Sequence, residues 1–500
     1  MYVTFVIVPF IKSKDLNVST RTVVTGLPLL KFPKLSSRFD FFESAIPAIT
    51  YKHLGLGYIA AGLKAANHKV SLIDGQALGI SLEEVLEMLQ KEMPDVVAIP
   101  NFIGGRLLVY ELVKEIHEAL PDVHVVLGGP QVTLYPHQVF KECPELTLGL
   151  CGEADFTMTD LVDCLEKGVS FDHIPGIVRR KNSGELIFGP PPETITDLDT
   201  IPFPDRELYD RRLYNPIPMM LTFPQMKAEQ AITSRGCDWH SCRFCYQSID
   251  QMPCYRRRSP ENVIEELRRL VGNYGIEFVV FTDDSFLRDE PWIEHFCQLL
   301  DESDLDLKWS VIGRVNSVTP SMLRRIARSG CVHVAYGLES GNQETLDMLN
   351  KGTSLEQARD AVRWAHEAGL VVRGYIMFGL PRETLKMTRK TLRFVIDLDV
   401  DYITIAPYHI LEGTPLEELA LREGTVVCHD NVTVHMPSYI PDTYENGEQI
   451  NRMIVKAYRR FYFRPRFIVR VLWKCRRPRM WPGLLAKVWV GLHIVFQKKE

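Results

Sequence analysis

The sequence lacks a long uninterrupted apolar run of the kind that crosses a membrane. Its most apolar stretch near the end, residues 484–496, is broken by Lys487 and His493 and is shorter than the roughly 20 residues that span a bilayer. The first 15 residues lack the basic start, the extended apolar core and the small-residue cleavage site of a signal peptide. We therefore expect a cytoplasmic protein.

Disulfide-bonded scaffolds are excluded by the low cysteine content, because eleven cysteines are distributed over 500 residues. A mostly disordered chain is also excluded, since 46% of the residues are hydrophobic and only 24% are charged. The length predicts about two to four folded domains. Isolated cysteines are interpreted as small buried hydrophobic residues, namely Cys143, Cys164, Cys297, Cys331 and Cys428.

Acidic residues are almost absent from the last part of the chain. Residues 451–500 contain 14 of the 58 Lys and Arg residues but a single acid, Glu500, although the whole chain has a net charge of −5. Such a segment predicts an anionic partner. Two interpretations stay open: an amphipathic helix packed on the protein, and peripheral contact with the inner face of a membrane. No RNA-binding module is evident, so nucleic acid is not expected as a partner.

Three cysteines stand out because they lie within nine residues: Cys237, Cys242 and Cys245. Thiolates are soft ligands, and three of them on one loop suit an iron–sulfur cluster or a zinc ion. A structural zinc site or a fully ligated cluster normally takes four protein ligands, whereas the obvious local set stops at three. We therefore predict a metal centre with one position open for chemistry. A zinc knuckle completed by His240 or Cys254 is the alternative.

The first part of the chain alternates short apolar runs with helical patterns. Strands are predicted at residues 3–9, 70–74, 96–100 and 124–127, with helices between them. This alternation predicts a doubly wound, Rossmann-like parallel sheet that binds its ligand at the carboxyl ends of the strands. Glycines fall at these ends and are expected to approach a cofactor: Gly104-Gly105, Gly128-Gly129 and Gly152-Glu153.

Four stretches of this region, HLGLGYIAAGL from His53, VSLIDG, VVLGGPQVT and CGEAD, carry a family resemblance. With them, residues 1–188 resemble a cobalamin-binding domain of the kind fused to radical S-adenosylmethionine (SAM) enzymes. The resemblance implies cobalamin contacts at Leu54, Gly55, Gly57, Gly104, Gly128, Gly129, Gly152 and Glu153. Many such domains place a histidine on cobalt with an Asp-x-His-x-x-Gly motif, but Asp74–Gly79 has glutamine there. Cobalamin bound without a protein histidine is therefore implied, and a degenerate domain kept for its fold is the alternative.

A proline-rich stretch follows at residues 189–208 and predicts a linker. With the residues that lead into the next domain, the predicted linker covers residues 189–224. Six strand–helix units come next over about 190 residues, whereas a complete eightfold barrel typically needs ~250. We predict an α/β protein with a partial (β/α)6 barrel over residues 225–425 and a helical, basic region over residues 426–500. Polar residues at the carboxyl ends of the barrel strands are candidate site residues.

Residues 225–425 resemble the radical SAM superfamily. The family places its cluster cysteines after the first barrel strand, with an aromatic residue before the last one, here Phe244; GLESGN, FGLPRET and the GTP near residue 414 also match. The resemblance implies that SAM chelates the open iron of a [4Fe-4S] cluster. The family has three residues between the first two cysteines where this chain has four, which we interpret as a tolerated insertion. The implied SAM contacts are Phe244, Asp284, Arg314, Glu339, Ser340, Gly379 and Pro381.

Together these resemblances imply a cobalamin-dependent radical SAM enzyme, a C-methyltransferase acting on an unactivated carbon. A 5′-deoxyadenosyl radical would abstract hydrogen, methylcobalamin would deliver the methyl group, and flavodoxin or ferredoxin would donate the electron. The expected substrate is a small molecule, such as a lipid or pigment precursor, lined by Tyr408 and His409. Two alternatives stay open: a ring-forming or rearranging enzyme like the anaerobic porphyrin cyclase, and a non-catalytic, zinc-stabilised scaffold that binds an anionic partner.

Overall fold

The computed structural model of the protein describes residues 1–9, 51–102, 104–214, 226–250, 252–427 and 437–474. These residues form two compact units, the first ending at Tyr214 and the second following it. The basic tail beyond residue 474 and Cys428 lie outside the described residues. None of the helices in these ranges combines the length and the apolar character that a bilayer span requires.

The first unit contains one seven-stranded sheet. Its strands are β1 (Tyr2–Ile7), β2 (Lys69–Asp74), β3 (Val96–Pro100), β4 (His124–Gly128), β5 (Leu148–Leu150), β6 (Ile177–Arg180) and β7 (Leu186–Phe188). They are arranged in the order β2-β1-β3-β4-β5-β6-β7, and β1 to β5 run parallel. Strand β2 lies on one side of β1, and β3 to β5 lie on the other, so the strand order reverses at β1. Doubly wound sheets bind ligands at such a reversal.

Helices connect the parallel strands of this unit. They are α1 (Leu54–Ala65), α2 (Gly75–Leu78), α3 (Leu82–Glu92), α4 (Arg106–Ala119), α5 (Pro130–Leu134), α6 (Pro136–Glu142) and α7 (Thr157–Lys167). Helix α3 begins with a capping box, in which the Ser81 hydroxyl accepts from Glu84 N at 3.3 Å and Glu84 Oε2 accepts from Ser81 N at 2.8 Å. The predicted doubly wound, Rossmann-like sheet is confirmed for β1 to β5.

The edge of the first sheet differs from the wholly parallel prediction, because β6 and β7 are antiparallel. They are joined by a tight turn in which Lys181 N donates to the Glu185 carbonyl at 2.9 Å, with Gly184 at φ +86. A turn this short can join only antiparallel strands. Both strands have four residues or fewer, which leaves little periodicity for sequence analysis to detect.

The proline-rich stretch that was predicted as a linker is attached to the first unit. Asp205 N donates to the Gly57 carbonyl at 2.9 Å, and the Tyr209 hydroxyl donates to the His53 carbonyl at 2.6 Å. The Tyr214 hydroxyl donates to Asp74 Oδ2 at 2.7 Å, a hydrogen bond that is buried. Residues up to 214 are therefore tied down by specific hydrogen bonds.

The second unit is built on a six-stranded parallel sheet and two short antiparallel pairs. Its strands are β8 (Ala228–Ala231), β9 (Ser234–Arg235), β10 (Arg256–Arg257), β11 (Phe278–Phe281), β12 (Lys308–Gly313), β13 (Cys331–Glu339), β14 (Val371–Phe378), β15 (Tyr402–Pro407), β16 (Gly424–Val426) and β17 (Tyr439–Pro441). The parallel order is β8-β11-β12-β13-β14-β15, so neighbours in the sheet follow one another in sequence. This arrangement confirms the predicted partial (β/α)6 barrel.

The helices of the second unit follow its strands in turn. They are α8 (Pro260–Tyr274), α9 (Glu290–Glu302), α10 (Pro320–Arg328), α11 (Gln343–Met348), α12 (Leu355–Glu367), α13 (Leu385–Asp397), α14 (Glu417–Arg422), α15 (Gly447–Tyr462) and α16 (Pro465–Lys474). Three of them, α8, α9 and α10, have proline in the first turn after a Ser, Asp or Thr cap, as at Ser259-Pro260, and α16 begins at Pro465. The predicted helical character of the basic region is confirmed for α15 and α16, whereas β17 lies in the earlier part of this region.

Tertiary contacts define two strand boundaries of the second unit. The strand before the cysteines ends at Ala231, and Ser234 belongs to the separate pair β9–β10. Strand β13 continues past Tyr336 to Glu339. In both places a polar residue is hydrogen-bonded or ion-paired within the fold, a tertiary effect that local pattern does not reveal.

The outer edge of β15 is covered by side chains of helix α15. Ile405 N donates to the Tyr458 hydroxyl at 2.9 Å, and Ile403 N donates to the Tyr462 hydroxyl at 3.2 Å. The Tyr462 hydroxyl in turn donates to the Ile403 carbonyl at 3.1 Å. Unpaired amides at the edge of a sheet can form hydrogen bonds with another strand. Here the two tyrosine hydroxyls accept from two of the edge amides of β15 and so occupy them.

Candidate functional site

The cysteine loop is closed at its base by the pairing of β9 with β10. Asp283 Oδ1 accepts hydrogen bonds from Thr233 N at 2.9 Å, Thr233 Oγ1 at 2.7 Å and Ser234 Oγ at 2.5 Å. Gly236 has φ +81, and a Cβ there would lie 2.9 Å from the Cys254 carbonyl oxygen. Only glycine fits this turn.

The thiols of this loop are held in a largely buried and cationic setting. Cys245 N donates to the Cys242 carbonyl at 3.0 Å, which forms a tight turn. Burial raises the pKa of the Cys245 thiol to about 11. Burial also raises the pKa of Cys242, whereas Lys351 and Arg314 oppose this rise. Thiols bind metals as thiolates, so a bound metal must displace these protons, and the nearby cations favour that form.

The three thiols, Cys237, Cys242 and Cys245, are spread more widely than the ligands of a single zinc ion. In the part of the chain that the structure describes, no set of three potential ligands including them has its ligand atoms within 4.8 Å of one another. Tetrahedral zinc with Zn–S bonds of about 2.3 Å needs sulfur atoms roughly 3.8 Å apart. Cys254 is exposed, whereas His240 donates from Nδ1 to the Gln247 carbonyl at 3.0 Å and its buried Nε2 has no hydrogen-bond partner among the described residues. The donor set therefore fits an iron–sulfur cluster better than the zinc alternative.

The additional residue in this loop is accommodated by a left-handed backbone at His240, with φ +46. The neighbouring Trp239 donates from Nε1 to the Asn350 carbonyl at 2.8 Å, and Asn350 Nδ2 donates to the Ser241 carbonyl at 2.9 Å. The guanidinium of Arg314 lies over the Trp239 ring, 4.9 Å from its centroid. The loop is thus docked on the turn that follows α11.

Gly352→Ala is expected to lower the free energy of unfolding by about 2–3 kcal/mol. Gly352 has φ +66, and a Cβ there would overlap the Trp239 ring. Iron content after reconstitution should fall as well, because the loop loses its support. Urea unfolding and iron determination check this result. Gly272→Ala is the matched control, since Gly272 lies in α8 with nothing within 4 Å of its Cβ position; equal behaviour of the two variants would contradict the docking.

A buried ion pair lies beside the cysteines. Lys351 Nζ is 2.7 Å from Glu339 Oε1 and 5.8 Å from the ring centroid of Phe244. Glu339 ends β13 at a register shift with φ +56, a strained backbone for a residue with a side chain. Gly337 makes room for the pair, because a Cβ there would lie 2.6 Å from Glu339 Oε1. Strain of this kind favours a role in ligand binding.

Two further predicted SAM contacts lie next to the cysteine loop. Arg314 Nη1 is 3.8 Å from Cys242 Sγ, and Arg314 Nη2 donates to the Lys351 carbonyl. Asp284 Oδ2 accepts from Gln247 Nε2 at 3.0 Å. Burial, and secondly the charge of Asp283, raises the pKa of Asp284.

An apolar cluster joins the cysteine loop to the turn after β14. Phe244 packs against buried residues that include Leu380 and Tyr408, and Gly379 and Pro381 belong to the same turn. Tyr408 N donates to the Phe378 carbonyl at 2.8 Å. The structure therefore brings together the aromatic residue of the loop and the turn that were predicted separately.

Glu383 fixes the conformation of that turn. Its Oε2 accepts hydrogen bonds from Gly379 N at 2.6 Å and Leu380 N at 3.4 Å, and Gly379 has φ +77. Burial raises the pKa of Glu383 to about 7, and these amides oppose the rise only in part. The carboxyl group therefore titrates near neutral pH in the folded protein.

The free energy of unfolding is expected to fall as the pH rises from about 4.5 to about 7, because only the folded chain keeps the Glu383 proton in this window. Glu383→Gln retains an oxygen that accepts from both amides and should flatten this dependence by about 1.4 kcal/mol for each pKa unit of the shift. Chemical denaturation of both proteins at about pH 5 and about pH 7.5 measures the difference. Parallel pH profiles would count against the proton at Glu383.

Two predicted site residues are engaged in other hydrogen bonds. Ser340 Oγ lies 3.3 Å from Thr391 Oγ1 and accepts from Asn342 N at 3.2 Å, so its hydroxyl belongs to a buried network with α13. His409 Nδ1 lies 3.0 Å from Ser438 Oγ. Ser340 cannot contact SAM through its hydroxyl without giving up this network, and the role of His409 stays a prediction.

The carboxyl edge of the first sheet presents exposed apolar side chains in segments that follow its strands: Tyr51, Leu78, Phe102, Leu107 and Phe156. At the same edge Gln131 is 1% exposed, and neither polar atom of its side chain has a hydrogen-bond partner in the described structure. An exposed apolar surface with a buried unpaired amide indicates a ligand. A corrin ring, with apolar faces and amide groups at its rim, fits this surface.

The glycines predicted to contact cobalamin fall into two groups. Gly55 and Gly104 are exposed, and Gly128 ends β4 at this edge beside Gly129, which has φ +94. The others support residues 190–209 instead: Gly57 faces Pro204, Gly152 faces Pro192, Glu153 Oε2 accepts from Ile195 N at 3.0 Å, and Leu54 is buried. Close packing against the proline-rich stretch explains these glycines without a ligand.

Sequence analysis missed Lys351, Trp239, Gln247 and Gln131. Lys351 has a weak signal, because it stands between Asn350 and Gly352 at the end of a helical pattern, where a conformation-restricted turn is expected. Trp239 and Gln247 act through tertiary contacts that local sequence does not reveal, and Gln131 is distinguished only by its burial without a hydrogen-bond partner in the described structure.

Family models match both units. Residues 48–162 match the B12 binding domain, and residues 231–395 match the Radical SAM superfamily. These regions contain the exposed apolar edge and the cysteine loop, respectively.

Relatives of the chain include proteins named as a methyltransferase and as a cyclase. The protein named uncharacterized methyltransferase PH0819 of Pyrococcus horikoshii is 31% identical over 437 residues, which cover 86% of this chain and 92% of that protein. The anaerobic magnesium-protoporphyrin IX monomethyl ester cyclase of Rubrivivax gelatinosus is 28% identical over 425 residues, covering 83% and 74%. The solved cobalamin-dependent SAM radical enzyme OxsB aligns with a TM-score of 0.67 at 20% identity, over 99% of this chain and 71% of that one, which shows the shared fold.

Proposed function

The chain belongs to the radical SAM superfamily and carries a B12-binding domain, and from this premise we propose that it is a C-methyltransferase acting on an unactivated carbon of a small molecule. Its cofactors are a [4Fe-4S] cluster, SAM and cobalamin. The observation that carries the proposal is the similarity over 92% of the length of a relative named as a methyltransferase.

When bound, the cluster and SAM supply a carbon radical that abstracts hydrogen, and cobalamin supplies the methyl group. The chain's residues hold and orient these groups. Cys237, Cys242 and Cys245 would bind three irons and leave the fourth for SAM. Arg314 stabilises negative charge on Cys242, because its guanidinium lies 3.8 Å from that sulfur.

The ion pair of Lys351 with Glu339 matches the two charges of the methionine part of SAM. Lys351 would bind the carboxylate and Glu339 the ammonium group or a ribose hydroxyl, so each side chain keeps an oppositely charged partner when SAM enters. The apolar cluster around Phe244, Leu380 and Tyr408 would cover the adenine and exclude water. Flavodoxin or ferredoxin is proposed as the electron donor.

A ring-forming enzyme is the second candidate, because the chain is 28% identical to a magnesium-protoporphyrin ester cyclase over 74% of that protein. A cyclase would use the same cluster and SAM site. It would consume no methyl group, however, and its product would lose hydrogen atoms rather than gain a methyl group.

Anaerobically reconstituted protein, incubated with reductant, hydroxocobalamin and SAM carrying a deuterated methyl group, tests the proposal. We expect 5′-deoxyadenosine, S-adenosylhomocysteine and labelled methylcobalamin, all measured by mass spectrometry. Formation of 5′-deoxyadenosine without labelled methylcobalamin would favour the cyclase. Absence of all three on a fully loaded cluster would overturn both candidates.

We also propose peripheral contact of the second unit with an anionic membrane surface through α16. Ile468, Val469 and Leu472 are 42%, 65% and 64% exposed, whereas Phe467 and Val471 pack against the amino ends of the barrel strands. Residues 451–474 contain no Asp or Glu. An exposed apolar stripe beside cations and without acids is typical of interfacial helices.

Replacing both Val469 and Leu472 by glutamate is expected to reduce binding to phosphatidylglycerol-containing vesicles by at least about 10-fold, because two apolar side chains no longer enter the interface. Vesicle flotation measures this loss. Leu421→Glu, at another side chain that is 50% exposed, is the matched control. Equal binding to neutral phosphatidylcholine vesicles, or no binding of the parent protein, would refute the contact.

A further inference from the structure

The glutamine that replaces the family's cobalt-binding histidine has a structural role. Gln76 Nε2 donates to the Val8 carbonyl at 3.1 Å, and Asp74 Oδ1 caps α2 by accepting from Ala77 N at 2.9 Å. A Cβ at Gly75 would lie 2.8 Å from Pro9. This stretch follows β2 and holds the end of β1, so it has no spare group for a metal.

A different histidine lies where the first sheet changes direction. His53 precedes α1, which begins at the carboxyl end of β1, and Phe102 follows the neighbouring strand β3. The two rings are in contact, with centroids 5.6 Å apart. The gap between β1 and β3 is the position at which sheets of this strand order bind their cofactors. His53 therefore lies at the expected cofactor position.

The backbone of His53 is fixed, whereas its imidazole makes no hydrogen bond with any described residue. The His53 carbonyl accepts from the Tyr209 hydroxyl at 2.6 Å and from Leu56 N at 2.9 Å. Burial lowers the pKa of the imidazole, and the charge of Asp74 opposes this effect only in part. The ring is therefore neutral at physiological pH, and neutral imidazole is the form that binds metals.

Independent features of the same edge point to a bound ligand. Phe102 is 43% exposed although it is a large aromatic residue, and Gln131 is buried with an unpaired amide. Residues 48–162, which match the B12 binding domain, contain all of these groups. A cobalt-containing ring bound here would lie among an apolar ring, an amide and an uncommitted imidazole.

We propose that His53 supplies a nitrogen ligand to the cobalt of the bound cobalamin. The inference rests on the proposed cobalamin-dependent function, and it differs from the family resemblance, which implied cobalt without a protein histidine. Ligation forms a nitrogen–cobalt bond with the lone pair of a ring nitrogen and involves no change in oxidation state. His53 would thus help to hold the corrin and to tune the electron density on cobalt.

The test uses the holoenzyme with cobalamin reduced to the paramagnetic Co(II) state. Wild-type protein is prepared with ordinary histidine and with histidine labelled uniformly with nitrogen-15, and both samples are examined by electron paramagnetic resonance. We expect each cobalt line to be a triplet in the unlabelled protein and a doublet in the labelled one. Only a histidine nitrogen on cobalt produces that change, since the cofactor's own nitrogens stay unlabelled.

Variants then identify the histidine. His53→Ala is expected to lose the label-dependent splitting, and His68→Ala, a control in the same unit whose Nε2 pairs with Asp163 at 2.8 Å, should retain it. A triplet that does not respond to labelling, or no nitrogen splitting, would overturn the inference while leaving the cobalamin-dependent function intact. Failure of the wild-type protein to bind cobalamin would overturn the function as well.

Discussion

Cys242→Ala is expected to remove the iron–sulfur cluster and to lower 5′-deoxyadenosine formation by at least about 100-fold. Cys242 is one of the three thiols proposed to bind the cluster, and Cys254, the other cysteine close by in sequence, is exposed. Loss of one thiolate leaves two irons without protein ligands, a state in which the cluster cannot hold its geometry. Arg314 would then face an empty, buried position.

Loss of the cluster is measured by iron and sulfide determination and by the absorbance of the sulfur-to-iron charge-transfer bands. Product analysis measures the loss of 5′-deoxyadenosine formation. Cys254→Ala is the control, because it removes a thiol from the end of the same loop without touching the three predicted ligands. The iron–sulfur interpretation requires Cys254→Ala to behave like the parent. Loss of a single bound zinc in both variants would instead support the zinc-stabilised scaffold.

Lys351→Met is expected to lower the free energy of unfolding by about 3–5 kcal/mol, because it leaves Glu339 as an uncompensated buried charge. Burial by itself would lower the pKa of Lys351, but Glu339 and Cys242 outweigh this effect and the pKa is raised. Lysine is therefore charged in the folded protein, and the pair is a true ion pair. The affinity for SAM should fall by about 10- to 100-fold, since one charge-assisted contact is lost.

The double variant Lys351→Met/Glu339→Gln separates stability from binding. Removing both charges should restore most of the stability, as neutral replacements of buried pairs commonly do, but it should not restore SAM affinity. Urea unfolding and anaerobic calorimetry provide the two readouts. Lys181→Met is the surface control, because the Lys181–Glu185 pair is exposed and should contribute less than about 1 kcal/mol. Full SAM affinity in the double variant would show that the pair is structural only.

The parallel strands could be predicted from sequence because they are buried on both faces and form continuous apolar runs. Val96–Pro100 is an example whose predicted and observed bounds agree. The cysteine loop could be predicted from spacing alone, since its ligands are local in sequence. Both features depend on residues that are neighbours along the chain, so the local sequence pattern is sufficient to predict them.

The remaining parts of the site depend on distant residues and could not be predicted in this way. Ser340 follows β13 as a ligand-binding residue would, yet its hydroxyl is held by Thr391, fifty-one residues further along. Lys351 reaches Glu339 only because Gly337 lacks a side chain and β13 shifts its register. Such positions follow from packing in three dimensions, and their sequence signal is a single glycine.

The tyrosine hydroxyls along β15 also limit how this architecture can grow. At Ile403 the Tyr462 hydroxyl both accepts from the amide and donates to the carbonyl, so it replaces the peptide of an adjoining strand. A side chain cannot extend this pairing, and neither a strand of another molecule nor an additional strand of the same chain can be added while α15 stays in place. A descendant with a closed eight-stranded barrel would first have to displace a helix.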